Sequence, residues 1–214
     1  MERLPRGRHG LSAEFVARNQ RERLISGLTQ ALYEVGYHET TVSLIGRRAA
    51  VSKSDFYKHF ESKDDCFVAA YEAAIERIRE RVVTACEASS GESWAERVPD
   101  AVGGLLDLFD EEPELASIAL VEGLRAGRGV YDRYQAALES FVVILGRGAP
   151  RPAVGGEVPE TADEAVIGGI TSLLVRRILA GEGEQLSDLL PEIVEFTFSA
   201  YLGGEEARRI VSAG

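Results

Sequence analysis

Apolar positions recur at helical spacing along almost the whole chain. Leu24, Leu28, Ala31, Leu32 and Val35 follow an i, i+4, i+7, i+8, i+11 pattern. They predict a first long helix, with Ser12 as its N-cap and Gly36 where a glycine stops a helix. A short second helix follows from Val42, capped by Thr41, with Val42, Ile45 and Ala49 inward. A third opens at Ser52, where Ser52 and Asp55 make a weakened capping box. Ser62 caps a fourth, whose stripe of Phe67, Tyr71, Ala74, Ile75, Ile78 and Val82 keeps one face for several turns.

The same period continues to the end. Trp94, Val98, Val102, Leu105 and Phe109 line one face, with Pro99 expected to kink or delay that helix. Pro113 suits a first turn ahead of Leu115, Ile118, Ala119 and Glu122. Tyr134, Leu138, Phe141 and Leu145 mark another helix. Residues 146–160 hold four Gly and three Pro and read as a flexible loop. Thr161 with Glu164 predicts a capping box for a helix stopping near Gly181, and a last long helix spans about Asp188 to Tyr201. A short one from Glu205 completes nine or ten helices. No alternating strand pattern and no internal repeat is present, so the expected fold class is all-α.

Composition alters this picture through its distribution. The net charge of the 214 residues is -11. Residues 1–63 nevertheless hold 11 Lys+Arg against 7 Asp+Glu, a net of +4, whereas residues 64–214 hold 13 against 28, a net of -15. A basic head on an acidic body points to two jobs. All three lysines, Lys53, Lys58 and Lys63, lie within eleven residues. No apolar run approaches the ~20 residues of a membrane span. No secretory h-region is evident at the N-terminus. Cys66 and Cys86 on one helix stand roughly 30 Å apart at ~1.5 Å per residue, too far to bridge. The expected compartment is the cytoplasm. Arg outnumbers Lys 21 to 3, which points to a GC-rich bacterial genome.

The chemistry concentrates in residues 21–71. Two short helices meet at the tight turn Arg48-Ala49-Ala50-Val51-Ser52. The second, Ser52 to His59, is polar and basic outside, with Phe56 and Phe60 inward. This is a helix-turn-helix arrangement, whose second helix enters the DNA major groove. The run Gly36-Tyr37, Thr40-Thr41-Val42, Ile45, Ala49, Val51-Ser52-Lys53, Phe56-Tyr57-Lys58-His59-Phe60, Ser62-Lys63 resembles the DNA-binding domain of TetR-family transcriptional regulators over about 50 residues. The resemblance implies phosphate contacts from Tyr57 and Lys63, and base contacts from Lys53, Ser54 and Asp55. It implies backbone or groove-edge contacts from Lys58 and His59. Ser52 would cap the reading helix and touch the backbone, and Thr41 and Ser43 would add phosphate contacts. Two departures stand out. The family often has Gly where this chain has Ala50, and a small neutral residue where it has Asp55. Asp55 acts either as a helix cap or as an acceptor for cytosine N4. Arg3, Arg6 and Arg8 form either a minor-groove arm or a basic tail.

The resemblance also implies domains at 1–62 and 63–214, the second for ligand binding and dimerisation. Val166, Ile170, Leu173, Leu174 and Ile178 form one stripe there; Leu190, Ile193, Val194, Thr197, Phe198 and Tyr201 form another. They serve a homodimer interface, the chain's own core, or both, and Gly168-Gly169 permits close helix approach. Aromatic rings with a few polar tips suit a small-molecule pocket. Trp94, Leu105, Phe109, Ile118, Glu122, Tyr131, Tyr134 and Phe141 are the candidate lining. Glu122 pairs with Arg125 or Arg128, or meets a ligand.

The functional expectation is a ligand-responsive repressor that binds a palindromic operator in double-stranded DNA as a homodimer. The alternative is a constitutive DNA-binding regulator with no effector. An enzyme is not expected. His9, His38 and His59 are scattered, no Cys/His cluster has metal-ligand spacing, and no nucleotide or nucleophile motif is present. No cofactor, metal or membrane partner is implied.

Overall fold

A computed structural model of the chain describes residues 12–89, 93–126, 128–150, 161–183 and 185–213. The arginines at positions 3, 6 and 8, and positions 151–160 of the expected loop, lie outside them. The described residues are helical with no strand. In order they form α1 (Ala13–Glu39), α2 (Val42–Ala49), α3 (Lys53–His59), α4 (Lys63–Ala88), α5 (Trp94–Glu111) and α6 (Pro113–Ala116). A π-helical turn, Ser117–Glu122, joins α6 to α7 (Gly123–Arg125). Then come α8 (Arg128–Gly146), α9 (Ala162–Leu179), a 3-10 turn (Leu186–Leu189), α10 (Leu190–Leu202) and α11 (Gly204–Ala213). The chain divides into two compact units within α4, the first ending at Ala73 and the second beginning at Ala74. The expected boundary at 62/63 instead marks the start of α4. Its first turns belong with α1–α3 because Cys66, Phe67, Ala70 and Tyr71 bury their side chains there.

The first unit is organised by local caps and one close approach. Ser12 Oγ accepts from the Phe15 amide, Thr41 Oγ1 from Leu44, Ser52 Oγ from Asp55 and Ser62 Oγ from Asp65, at 3.0–3.2 Å. Gly36 breaks α1 with φ 74, a value glycine takes without steric cost. The core gathers Leu24, Leu28, Ala31, Leu32, Ile45, Phe56, Phe60 and Phe67. Gly27 lets the end of α2 lie against α1: a Cβ there would stand 2.9 Å from the Ala49 amide nitrogen and 3.0 Å from the Ile45 carbonyl oxygen.

The second unit departs from expectation in three places. α5 begins at Trp94 and runs through Pro99 without a late start, because Ser93 and Glu96 form a full capping box ahead of it. Thr161 makes no side-chain cap at α9, contrary to the expected box, since its backbone (φ -88, ψ 6) is not in the extended conformation a capping side chain needs. The third departure is the π-helical turn. α-Helical spacing predicted Ile118, Ala119 and Glu122 on one face; the wider turn brings Ser117, Ile118, Ala119, Val121 and Glu122 all inward.

Elsewhere in this unit, Trp94 donates to the Leu145 carbonyl at 2.7 Å and packs against Phe198 and Tyr201, with ring centroids 5.4 and 4.7 Å away. Asp110 accepts from the amides of Leu186 and Ser187 at 2.7 and 3.0 Å, tying the 3-10 turn to α5. Tyr201 donates to Asp163 across α10 and α9.

Gly27→Ala is expected to destabilise the chain by about 2 kcal/mol, because its contact atoms are backbone and α1 must move away from α2. Urea denaturation followed by helical circular dichroism checks this; an unchanged midpoint would mean that α1 and α2 are free to separate.

Candidate nucleic-acid interface

Exposed polar groups cluster on a preset frame at α3 and the turn before it. α3 has only seven residues, too few to hold a helix alone. Its inner side is fixed by Phe56 and Phe60, both buried, and its first turn by the Ser52 cap. Ser52, Lys53, Ser54, Tyr57 and Lys58 are left exposed, and Asp55 and His59 half-buried. Thr41 and Ser43 at the start of α2 are also exposed. The Tyr57 ring stands edge-on to Phe56, centroids 5.4 Å apart, which props the phenol outward.

The polar groups of α3 are tied to one another. Ser52 Oγ lies 2.7 Å from Asp55 Oδ2, and Lys58 Nζ donates to Asp55 Oδ1 at 2.7 Å. The Lys58 bond, then the Ser52 hydroxyl, hold the Asp55 carboxyl below the usual carboxylate range. The tie therefore contributes above the ordinary carboxylate pKa and is lost as pH falls through the depressed value. These contacts tie the Asp55 carboxylate to the capping hydroxyl of Ser52 and to Lys58. Lys63 is half-buried rather than free: its Nζ donates to the Tyr37 carbonyl at 2.8 Å and lies 4.0 Å from the Tyr37 ring centroid. Tyr37 in turn donates to Asp64, and burial first, then Asp64, push its phenol upward from the ordinary value.

Two residues of this region escaped the sequence reading. Arg23 Nη2 donates to the carbonyls of Ala49 and, at 2.9 Å, of Ala50. Ala50 has φ 50 and ψ 46, the left-handed conformation that glycine would take more easily. Gln20 Oε1 lies 3.1 Å from His59 Nε2. These partners are 26, 27 and 39 residues apart, so no local pattern signals them.

The candidate pocket residues do not form one group. Trp94 sits in a cluster with Val98, Val166, Val194, Phe198, Tyr201 and Ala207, apart from the other seven candidates. Phe109, Ile118 and Tyr134 are buried, Leu105 and Phe141 half-buried. Tyr131 is half exposed and accepts from Gln135 at 2.6 Å, which turns it to solvent rather than inward. Glu122 is buried and pairs with Arg125 at 3.0 Å.

The expected dimer stripes divide by burial. Val166, Leu174, Ile193, Val194, Thr197, Phe198 and Tyr201 are buried within a single chain. Ile170, Leu173, Ile178 and Leu190 are half-buried. The exposed residues of these helices include Gly168, Ser172, Leu179, Phe196 and Ala200 together with the charged Glu164, Arg176 and Glu192.

Comparison with known proteins agrees with the head. Residues 24–70 match the family model described as bacterial regulatory proteins, tetR family. This stretch, α3 included, therefore carries the tetR-family domain. The HTH-type transcriptional regulator BetI of Klebsiella pneumoniae (strain 342) is 30% identical over 101 residues, covering 47% of this chain and 50% of that protein. The chain thus spans about half the length of the curated relatives it matches. Among solved structures, the fatty acid degradation regulator FadR of Bacillus halodurans aligns with a TM-score of 0.71 at 15% identity, over 86% of this chain and 95% of that one. FadR of Bacillus subtilis, solved in complex with stearoyl-CoA, aligns with a TM-score of 0.70 at 16% identity, over 85% and 98%. At such identities the likeness is one of fold. Among the described residues no group of His, Cys, Asp and Glu is placed to hold a metal ion, and no helix is long and apolar enough to cross a membrane.

Asp55→Asn is expected to strengthen binding to duplex DNA of any sequence by about three-fold at low salt, because one negative charge near the phosphates disappears while the Ser52 cap remains. Fluorescence anisotropy with a random-sequence duplex checks this. Weaker binding to one selected site alone would instead assign Asp55 to base reading.

Proposed function

We propose that this chain is a cytoplasmic, homodimeric TetR-family repressor that reads a palindromic operator with α3 and is released by a small molecule. The observation that carries the reading is the seven-residue α3, capped and anchored inside, exposing Lys53, Ser54, Tyr57 and Lys58 from a segment of net charge +4. Lys53 and Ser54, near its N-terminus, are placed for base edges. Tyr57, Lys58, Thr41 and Ser43 are placed for phosphates, with His59 at the groove edge. Lys63 reaches a phosphate only by loosening its bond to the Tyr37 carbonyl. The acidic remainder of the chain repels the duplex, which keeps binding to the head.

The dimer forms through the outward side of α9 and α10. Small residues, Gly168, Ser172 and Ala200, allow close helix approach there, and Phe196 and Leu179 supply exposed apolar surface. Effector binding shifts the population toward a head spacing that no longer matches the half-sites. A long-chain acyl-CoA is the first effector to test, because a regulator of the same fold has been solved with stearoyl-CoA. If no effector weakens binding, the constitutive alternative takes over.

Selection of genomic DNA by the purified chain, at two salt concentrations, is expected to enrich one palindromic site with steep weakening at higher salt. Lys53→Ala with Tyr57→Phe is expected to weaken that site by at least about ten-fold. Full affinity in this variant would overturn the assignment of α3. Phe196→Glu is expected to give a monomer by sedimentation, and an intact dimer would move the interface elsewhere.

A further inference from the structure

The α2–α3 turn is held by α1 through a contact no local sequence pattern announces. The last carbonyls of α2 have no helical amide to receive. Arg23, from α1, supplies donors to two of them, those of Ala49 and Ala50. A guanidinium there also meets the negative end of the helix dipole. Gly27, one turn further along α1, brings the Ala49 backbone within reach of the same face. Gln20, one turn before Arg23, contacts His59 at the far end of α3. Gln20, Arg23 and Gly27 follow at i, i+3 and i+7, so one stripe of α1 holds the turn ahead of α3 and the far end of α3. Ala50 occupies the left-handed region, which alanine leaves readily when nothing holds it. Any other conformation of Ala50 swings α3 relative to α2.

We propose that Arg23 is a positioning residue for sequence reading: it clamps the turn to α1, and so sets the angle at which α3 is offered to DNA, without contacting DNA itself. The inference rests on α3 being the reading helix. It differs from a phosphate contact because Arg23 is half-buried with its Nη2 turned to backbone carbonyls, whereas Lys53 and Lys58 are exposed. A clamp of this kind governs the difference between specific and random binding, since random binding needs charge but not angle.

The test uses the full chain and the site that the wild type enriches. If the wild type enriches no site, the DNA reading of α3 fails, and that failure is separate from this one. With a site in hand, Arg23→Met is expected to lose about ten-fold in specific affinity while affinity for random duplex changes by less than about two-fold and the salt slope is kept. Adding Ala50→Gly is expected to recover part of the specific binding, because glycine takes the left-handed conformation unaided. Loss of a residue that matters only for stability would not be recovered in this way. Arg23→Lys, which keeps the charge but loses the planar fork, is expected to fall between the two. If the Met variant loses helicity, the Lys variant carries the test, and wild-type specificity in it overturns the clamp. Wild-type specificity in a folded Met variant does the same. Parallel weakening of specific and random binding, with a slope reduced by about 0.9, would make Arg23 a phosphate contact instead.

Discussion

The turn between α2 and α3 is the constraint on which the reading surface depends. It closes only because three small residues meet backbone there. A Cβ on Gly46 would stand 2.7 Å from the Val51 carbonyl oxygen, and one on Gly27 would stand 2.9 Å from the Ala49 nitrogen. Ala50 then takes a conformation alanine disfavours by roughly 1 kcal/mol. The Val51 amide donates back to the Gly46 carbonyl at 2.9 Å, and Arg23 donates to the carbonyls of Ala49 and Ala50. The turn is therefore compact, satisfied in its hydrogen bonds and slightly strained, with little freedom to let α3 drift. Every exposed side chain of α3 inherits its direction from this arrangement.

The second unit obeys a different constraint, the filling of its own core. Trp94 is the centre of one cluster, with its indole nitrogen bonded to a carbonyl and its ring against Phe198 and Tyr201. A buried aromatic with a polar tip needs such a partner. Tyr201 finds Asp163, and burial followed by that carboxylate pushes its phenol upward. These contacts consume the inner faces of α9 and α10. What remains outside is Gly168, Ser172 and Ala200 with Phe196 and Leu179, interspersed with the charged Glu164, Arg176 and Glu192.

Much of the first unit was legible because its signals are local. Ser12, Thr41, Ser52 and Ser62 cap their helices through residues three positions on, and Gly36 breaks α1 through its own φ. The Ser93–Glu96 box is equally local, and Pro99 does not delay α5 because it follows an already capped first turn. Periodicity in α9 and α10 marked buried faces correctly as apolar but carried no information about what buries them. It therefore could not separate Val194 and Phe198, in the core, from Phe196, on the surface. The π-helical turn was invisible for a related reason: one altered turn changes which residues share a face, and no residue type announces it. Arg23 and Gln20 act across 26 to 39 residues, beyond the reach of any window.

A seven-residue helix has no independent stability in water, so its geometry is wholly borrowed. Phe56 and Phe60 lend it depth, Ser52 a start, and α1 a direction. Reading bases requires side chains placed to within a fraction of an ångström, and the residues that touch bases supply none of that placement. On the proposed function, sequence preference in this chain is written twice. One part lies in Lys53 and Ser54, where substitution changes which groups are offered. The other lies in the frame beneath, where substitution changes where the same groups are offered. A motif match captures the first part because it is contiguous. The second is distributed over α1 and the turn, and emerges only when the helices are seen against one another.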